Sequence, residues 1–111
     1  MNWIPLENEN QLEEITSNSE NKPQVIFKHS TRCSISSMAK NRLDRKDQPE
    51  GMNFYYLDVI KYRNISNKIA GDFKVNHQSP QVLVINAGKC IYNESHSGIS
   101  MDDIIDSASE G

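Results

Sequence analysis

The residue best placed to do chemistry is Cys33. It stands in the stretch Val25-Ile26-Phe27-Lys28-His29-Ser30-Thr31-Arg32-Cys33-Ser34-Ile35-Ser36. There a short apolar, β-prone run gives way to a polar turn, and the turn to a helix. A thiolate, not a thiol, attacks a disulfide. At a helix N-terminus, partial positive charge and free N–H groups favour the thiolate. Lys28, His29 and Arg32 lie close enough in sequence to add positive charge, although a lysine at a strand end and an arginine in a turn more often stay solvated. The plainer reading of Cys33 is a small buried hydrophobe. Ser36 occupies the position of a resolving thiol in a Cys-x-x-Cys arrangement. With serine there, Cys33 closes no disulfide within its own motif, so an outside thiol must release any mixed disulfide formed on it. Ser34 and Ser36 are both candidates to hydrogen-bond the thiolate; Ser36 also reads as an ordinary polar residue near the first helical turn.

The elements that must position these groups follow from periodicity. Trp3-Ile4-Pro5-Leu6 suits a short edge strand, since Pro5 argues against a central one. Asn10 followed by Glu13 fits a helix cap, with Leu12 and Ile15 starting a buried stripe and the polar run Thr16 to Lys22 ending it. Pro23 precedes a strand over Gln24 to Lys28. The next helix starts near Cys33, with Ile35, Ala39 and Leu43 four apart and Met38 and Arg42 flanking the same face. It is spent by the loop Asp47-Gln48-Pro49-Glu50-Gly51. Phe54 to Ile60 is a strand rich in aromatic and β-branched residues. Ile65, Ile69 and Phe73 predict a third helix despite Gly71.

Val82-Leu83-Val84-Ile85 is continuously apolar, as in a strand covered on both faces. Asn86-Ala87-Gly88-Lys89 is a turn into a partner strand, Cys90-Ile91-Tyr92. Ser100 with Asp103 opens a last helix containing Ile104 and Ile105, and Asp102 and Asp103 are first-turn helix acids rather than a metal pair. Asp58, at a strand end, is a solvated or capping carboxylate. The order β-α-β-α-β-α-β-β-α predicts an α/β fold: a mixed four- to five-stranded sheet with helices on both faces, in one domain over residues 1–111.

The hairpin decides what Cys90 can do. A turn at Ala87-Gly88 sets residue 80 opposite 95 and residue 85 opposite 90. Five residues of strand then put Cys90 roughly 16 Å from Pro80, while a disulfide needs Cα atoms within about 7 Å. Cys90 therefore reads as structural or incidental. The same pairing returns Ser95, His96, Ser97 and Gly98 beside Pro80, at the strand-end rim where α/β sheets bind ligands.

Composition bounds the function. The chain has 111 residues, 36% hydrophobic and 24% charged, with a formal net charge of −3. That balance suits a small globule and gives no global basic signal for nucleic acid. No apolar run approaches the roughly 18–20 residues of a membrane span. The start, Met1-Asn2-Trp3-Ile4-Pro5, lacks a signal-peptide pattern, so the expected location is the cytoplasm, where thiols stay reduced. Two cysteines without CxxC or CxxH spacing exclude a disulfide scaffold and leave no expected metal site.

The element order, a cysteine opening the second helix and Pro80 just before the hairpin together resemble the thioredoxin fold. The resemblance implies that the Ser79-Pro80 bond is cis, against a prior of about 5–6% for any X–Pro bond, and that the backbone at Ser79 pairs with substrate. A closer likeness lies in Phe27 to Ser36, in Phe73-Lys74-Val75-Asn76-His77-Gln78-Ser79-Pro80-Gln81 and in Asn93-Glu94-Ser95-His96. These segments resemble the monothiol bacilliredoxins. Ser34 replaces the usual proline after the cysteine, and Ser97 stands where the family often has tryptophan. Phe27 replaces the acid found six residues before the cysteine in thioredoxins, which disfavours dithiol chemistry of that kind.

The resemblance implies a monothiol thiol-disulfide oxidoreductase that removes bacillithiol from S-bacillithiolated client proteins through a Cys33 mixed disulfide. Bacillithiol would be co-substrate, and no tightly bound cofactor is implied. Its malate carboxylates want cations and N–H donors, which makes Arg32 and His77 candidates, followed by His96 and the backbone around Gly98. Two other classes compete. One is a thioredoxin-like module with an inert thiol that holds an extended peptide at the Ser79-Pro80 edge. The other is an iron–sulfur carrier of the monothiol glutaredoxin sort, ranked last because Ser34 and Ile35 stand where those proteins have glycine and phenylalanine.

Overall fold

The computed structural model describes residues 1–110. In chain order the elements are β1 (Trp3–Pro5), α1 (Asn10–Asn18), β2 (Gln24–His29), α2 (Ser34–Asp44), β3 (Asn53–Asp58), α3 (Arg63–Phe73), β4 (Gln81–Asn86), β5 (Lys89–Ser95), a 3-10 turn (His96–Gly98) and α4 (Met101–Glu110). One five-stranded sheet has the order β1-β3-β2-β4-β5. β3 runs parallel to both β1 and β2, and β4 antiparallel to both β2 and β5. This is the thioredoxin fold. Among the described residues no helix is long and apolar enough to cross a membrane.

Strand alternation divides the core in two. Ile26, Leu57, Leu83 and Ile85 pack with Leu12 and Ile15 of α1 and Ile65 and Ile69 of α3. Val25, Phe27, Phe54, Val82 and Val84 pack with Ala39 and Leu43 of α2 and Ile104 of α4. β2 and β4 are buried along both faces.

Four sequence expectations are corrected. The first helix is capped two residues earlier than Asn10 and Glu13 suggest: the Asn8 side chain accepts the Gln11 N–H at 3.1 Å, and Gln11 Oε1 accepts the N–H groups of Glu7 and Asn8. That reciprocal pair satisfies donors that Asn10 and Glu13 leave alone. β3 ends at Asp58, not Ile60, because the Asp58 carboxylate accepts the Ile60 and Lys61 N–H groups and turns the chain. α2 buries Ser36, Ala39 and Leu43, while Ile35 is 51% and Met38 60% exposed. The inward stripe starts on a serine because its hydroxyl is hydrogen-bonded inside. Finally, Ile85 does face Cys90, but a bulge between Val84 and Ile85 shifts the rest by one, so Ser95 pairs with Gln81 and the His96 N–H donates to Pro80 O at 3.1 Å.

The face of α2 is checked by substitution. Leu43→Ala should cost about 2–5 kcal/mol and Ile35→Ala no more than about 0.5 kcal/mol, both from urea midpoints; comparable losses would mean that α2 presents Ile35 to the core.

Candidate functional site

The antiparallel pairing of β2 with β4 sets Lys28 opposite Gln81, so the end of β2 meets the start of β4. The first leads into the turn bearing Cys33 and the second follows directly on Pro80. The Ser79-Pro80 peptide is cis. β5 returns Ser95 and His96 to the same end. The sheet thus brings together the cysteine turn, the proline loop and the Ser95–Gly98 segment.

Cys33 is the N-cap residue of α2, half-buried, in extended conformation, and α2 has no side-chain cap hydrogen bond. Its N–H donates to Ser30 O at 3.1 Å, and its carbonyl accepts the Ser37 N–H at 3.0 Å. An N-cap side chain that carries an oxygen accepts from the N–H of the second or third helical residue, here Ile35 or Ser36. A thiolate at that position has the same donors within its turn.

Ser36 lies one turn on and is fully buried. Its hydroxyl accepts the Ser30 N–H at 3.0 Å and bonds His29 Nδ1 at 2.6 Å. The Ser36 hydroxyl is therefore occupied in joining the end of β2 to the first turn of α2. His29 itself is buried, stacked on Phe27 and beside Tyr56. Burial, reinforced by the Lys40 charge, lowers its pKa below the usual imidazole value, which keeps the ring neutral at pH 7.

Arg32 and Ser34 are exposed on the turn, and His96 and Gly98 are exposed on the opposite segment. His96 adopts a left-handed φ of 55°. Arg42 ties that segment to α2, its guanidinium donating to His96 O at 3.1 Å and to Ile99 O at 3.3 Å. At Gly98 an added Cβ would fall 2.7 Å from Glu94 Cδ, so the Glu94 side chain occupies the space a larger residue would need. Pro80 is buried, and Ser79 Oγ is a buried oxygen with no hydrogen-bond partner among the described residues.

Lys28 overturns its solvated reading. It is 0% exposed. Alternation turns its side chain away from the α2 face, and its ammonium donates to Ser66 O of α3 at 3.2 Å and to His77 Nδ1 at 3.3 Å. Ser66 Oγ also lies 3.0 Å from that nitrogen. Burial lowers the Lys28 pKa from 10.5 to about 8. The His77 pKa is lowered by burial and then by the Lys28 and Arg63 charges. Sequence reasoning named Lys28 only as a nearby cation or a solvated strand-end residue, and missed its burial and the parts played by Ser66 and Arg42. The available signal was Lys28 in phase with Ile26 on β2.

Cys90 stands at the far end of the hairpin, opposite Ile85. Its thiol donates to Tyr92 O at 3.3 Å, and burial raises its pKa. Both cysteines are free.

The family model for monothiol bacilliredoxin BrxC matches residues 4–104. The chain belongs to the monothiol bacilliredoxin family. Its fold is shared with a solved thioredoxin-fold protein assigned as an oxidoreductase, at 31% identity and a TM-score of 0.81, covering 94% of this chain and 91% of that one. Two thioredoxins match in fold alone. That of Malassezia sympodialis has 16% identity, a TM-score of 0.75 and coverage of 98% and 90%. That of Fasciola hepatica has 14% identity, a TM-score of 0.72 and coverage of 96% of both chains. The bacilliredoxin is thus of a thioredoxin-fold, oxidoreductase-like kind, and its family implies partners in bacillithiol-related redox chemistry.

The cost of burying Lys28 can be measured. With a folded pKa near 8 against 10.5 in water, the penalty is fully present below about pH 8. It fades as pH rises to about 10.5, where the unfolded chain still holds the proton the folded one has lost. Lys28→Met should therefore be more stable than wild type at pH 7 by about 1–3 kcal/mol. Urea titrations should show the gap closing as the pH is raised to about 10; a gap that is absent or independent of pH would contradict the buried cation.

Proposed function

We propose that this bacilliredoxin removes bacillithiol from S-bacillithiolated client proteins. The observation that supports this most directly is a half-buried Cys33 at the uncapped N-terminus of α2, with the buried Ser36 hydroxyl where a resolving thiol would stand. The Cys33 thiolate attacks the bacillithiol sulfur of the client's mixed disulfide. The client S–S bond breaks and its thiolate leaves, taking up a proton. A new disulfide joins Cys33 to bacillithiol. Ser36 offers no sulfur to displace it, and Cys90 lies about 16 Å from the proline end by strand length. A second thiol, such as free bacillithiol, attacks the adduct, becomes oxidised to the disulfide and returns Cys33 to the thiolate.

Each surrounding group has a part in this reading. Cys33 stands at the N-terminus of α2, where the attacking sulfur meets the first turn of the helix. His29 and Ser36 hold the turn by tying the end of β2 to the first turn of α2. The backbone at Ser79, with its unpartnered Oγ beside Pro80, receives the substrate edge-on. Arg32, Ser34, His96 and the backbone at Gly98 flank the bound thiol, and the Arg32 guanidinium suits a carboxylate.

The test is to incubate the protein with a bacillithiolated client and weigh both partners. Wild type and Cys90→Ser should gain one bacillithiol on Cys33 while the client loses it; Cys33→Ser should leave the client modified. A Cys33–Cys90 bridge found by non-reducing peptide mapping, or a client left untouched by wild type, would refute this reading.

A further inference from the structure

Two cations, Lys28 and Arg63, act on His77, and neither is in an ion pair among the described residues. Lys28 lies fully buried beneath His77, 3.3 Å from Nδ1. Arg63, the first residue of α3, is exposed and stands one turn before Ser66, whose hydroxyl lies 3.0 Å from the same nitrogen. Residues three apart share a helix face, so the Arg63 side chain starts on the face that carries Ser66 to His77. The ion pairs among the described residues are Lys40–Asp44 and Lys68–Asp72, and neither involves this cluster.

Hydrogen-bond bookkeeping orients the ring. An ammonium only donates, so His77 Nδ1 must accept and the ring proton resides on Nε2. His77 is an exposed residue, so the edge turned away from Lys28 is an N–H donor. An N–H donor, a guanidinium fork and a buried ammonium behind them make a positive corner in a chain whose formal net charge is −3. Burying an unpaired ammonium is costly, and the sheet does not need it: an apolar side chain at position 28 would extend the Ile26 face. An anion at the corner would supply the missing countercharge.

We propose that Arg63 and His77, backed by Lys28, form a carboxylate-binding subsite beside the Asn76–Pro80 loop. Arg63 grips the carboxylate in its planar fork, and His77 Nε2–H adds a third donor. The Gln81 side chain braces the loop, donating to Asn76 O at 3.0 Å. The subsite rests on this geometry; naming its ligand as the malate end of bacillithiol rests on the function proposed above. A client's own acidic side chain offers the same chemistry, so the test separates the two.

One client is prepared with bacillithiol on its cysteine and, separately, with mercaptoethanol. Arg63→Gln should raise KM about tenfold for the bacillithiol form, the effect of one charge-assisted hydrogen bond, and leave kcat and the mercaptoethanol form unchanged. Arg63→Lys should recover part of the loss. Lys68→Gln, which removes the same charge from the same helix, should behave as wild type. Equal losses on both caps, or an equal effect of Lys68→Gln, would overturn the bacillithiol assignment. L-malate is also titrated alone into the reduced protein at constant ionic strength, following the His77 ring by NMR. Wild type should shift and Arg63→Gln should not; no shift in wild type overturns the subsite itself. A wild-type shift with no bacillithiol ever found on Cys33 keeps the subsite and refutes the proposed reaction instead.

Discussion

The antiparallel ladder between β2 and β4 is the constraint on which the rest depends. It sets Lys28 opposite Gln81 and so joins the Cys33 turn to the Pro80 loop. A one-residue slip would exchange the faces of every side chain on one strand. Phe27 and His29 would leave the α2 face, and Lys28 would point at Ala39 and Leu43. The slip is opposed because Lys28 would lose its acceptors, Ser66 O and His77 Nδ1, and be buried against the apolar α2 side. Precision at the site is a by-product of core packing on each side of the sheet.

The same ladder shows where the fold departs from an apolar interior. The buried polar residues are Ser19, Gln24, Lys28, His29, Ser36, Ser66 and Gln81. Ser19 and Gln24 serve the hairpin-turn end, where Ser19 accepts the Ala87 and Gly88 N–H groups. The other five gather at the Cys33–Pro80 end. Buried polar groups are costly unless paired, and all five pair with segments a ligand would meet. His29 and Ser36 fix the cysteine turn. Lys28, Ser66 and Gln81 fix the loop before Pro80. Local rules broken in one place, with compensating bonds, are the expected mark of a working region.

Much of this was legible in the sequence. Cys33 at a strand-to-helix junction and Pro80 before a hairpin identify the fold because both sit at element boundaries, where residue type has positional meaning. The Ser100–Asp103 cap is found where expected, with the Asp103 N–H donating to Ser100 Oγ at 3.2 Å. What stayed illegible has a common cause. Ile35 was assigned inward by its spacing and Lys28 outward by its charge, yet spacing is ambiguous when a serine can hydrogen-bond inside, and a lysine is buried if it finds acceptors. Those acceptors, Ser66 O and His77 Nδ1, come from residues 38 and 49 positions away. The bulge between Val84 and Ile85 is likewise a property of two strands and not of either alone.

Ser36 shows how a single replacement changes a mechanism without loosening the frame. A cysteine at that position could reach Cys33 through the first helical turn and would end the reaction inside the protein. The serine hydroxyl is shorter in reach, accepts a backbone N–H and is bound to His29 Nδ1. It therefore strengthens the connection from β2 to α2 while withholding a second sulfur. The turn keeps its shape and its N–H donors, and the electrons that free Cys33 must come from outside. In the proposed reaction such a protein has to recognise a small thiol as well as a client. That requirement gives physical meaning to exposed cations placed around an otherwise acidic chain.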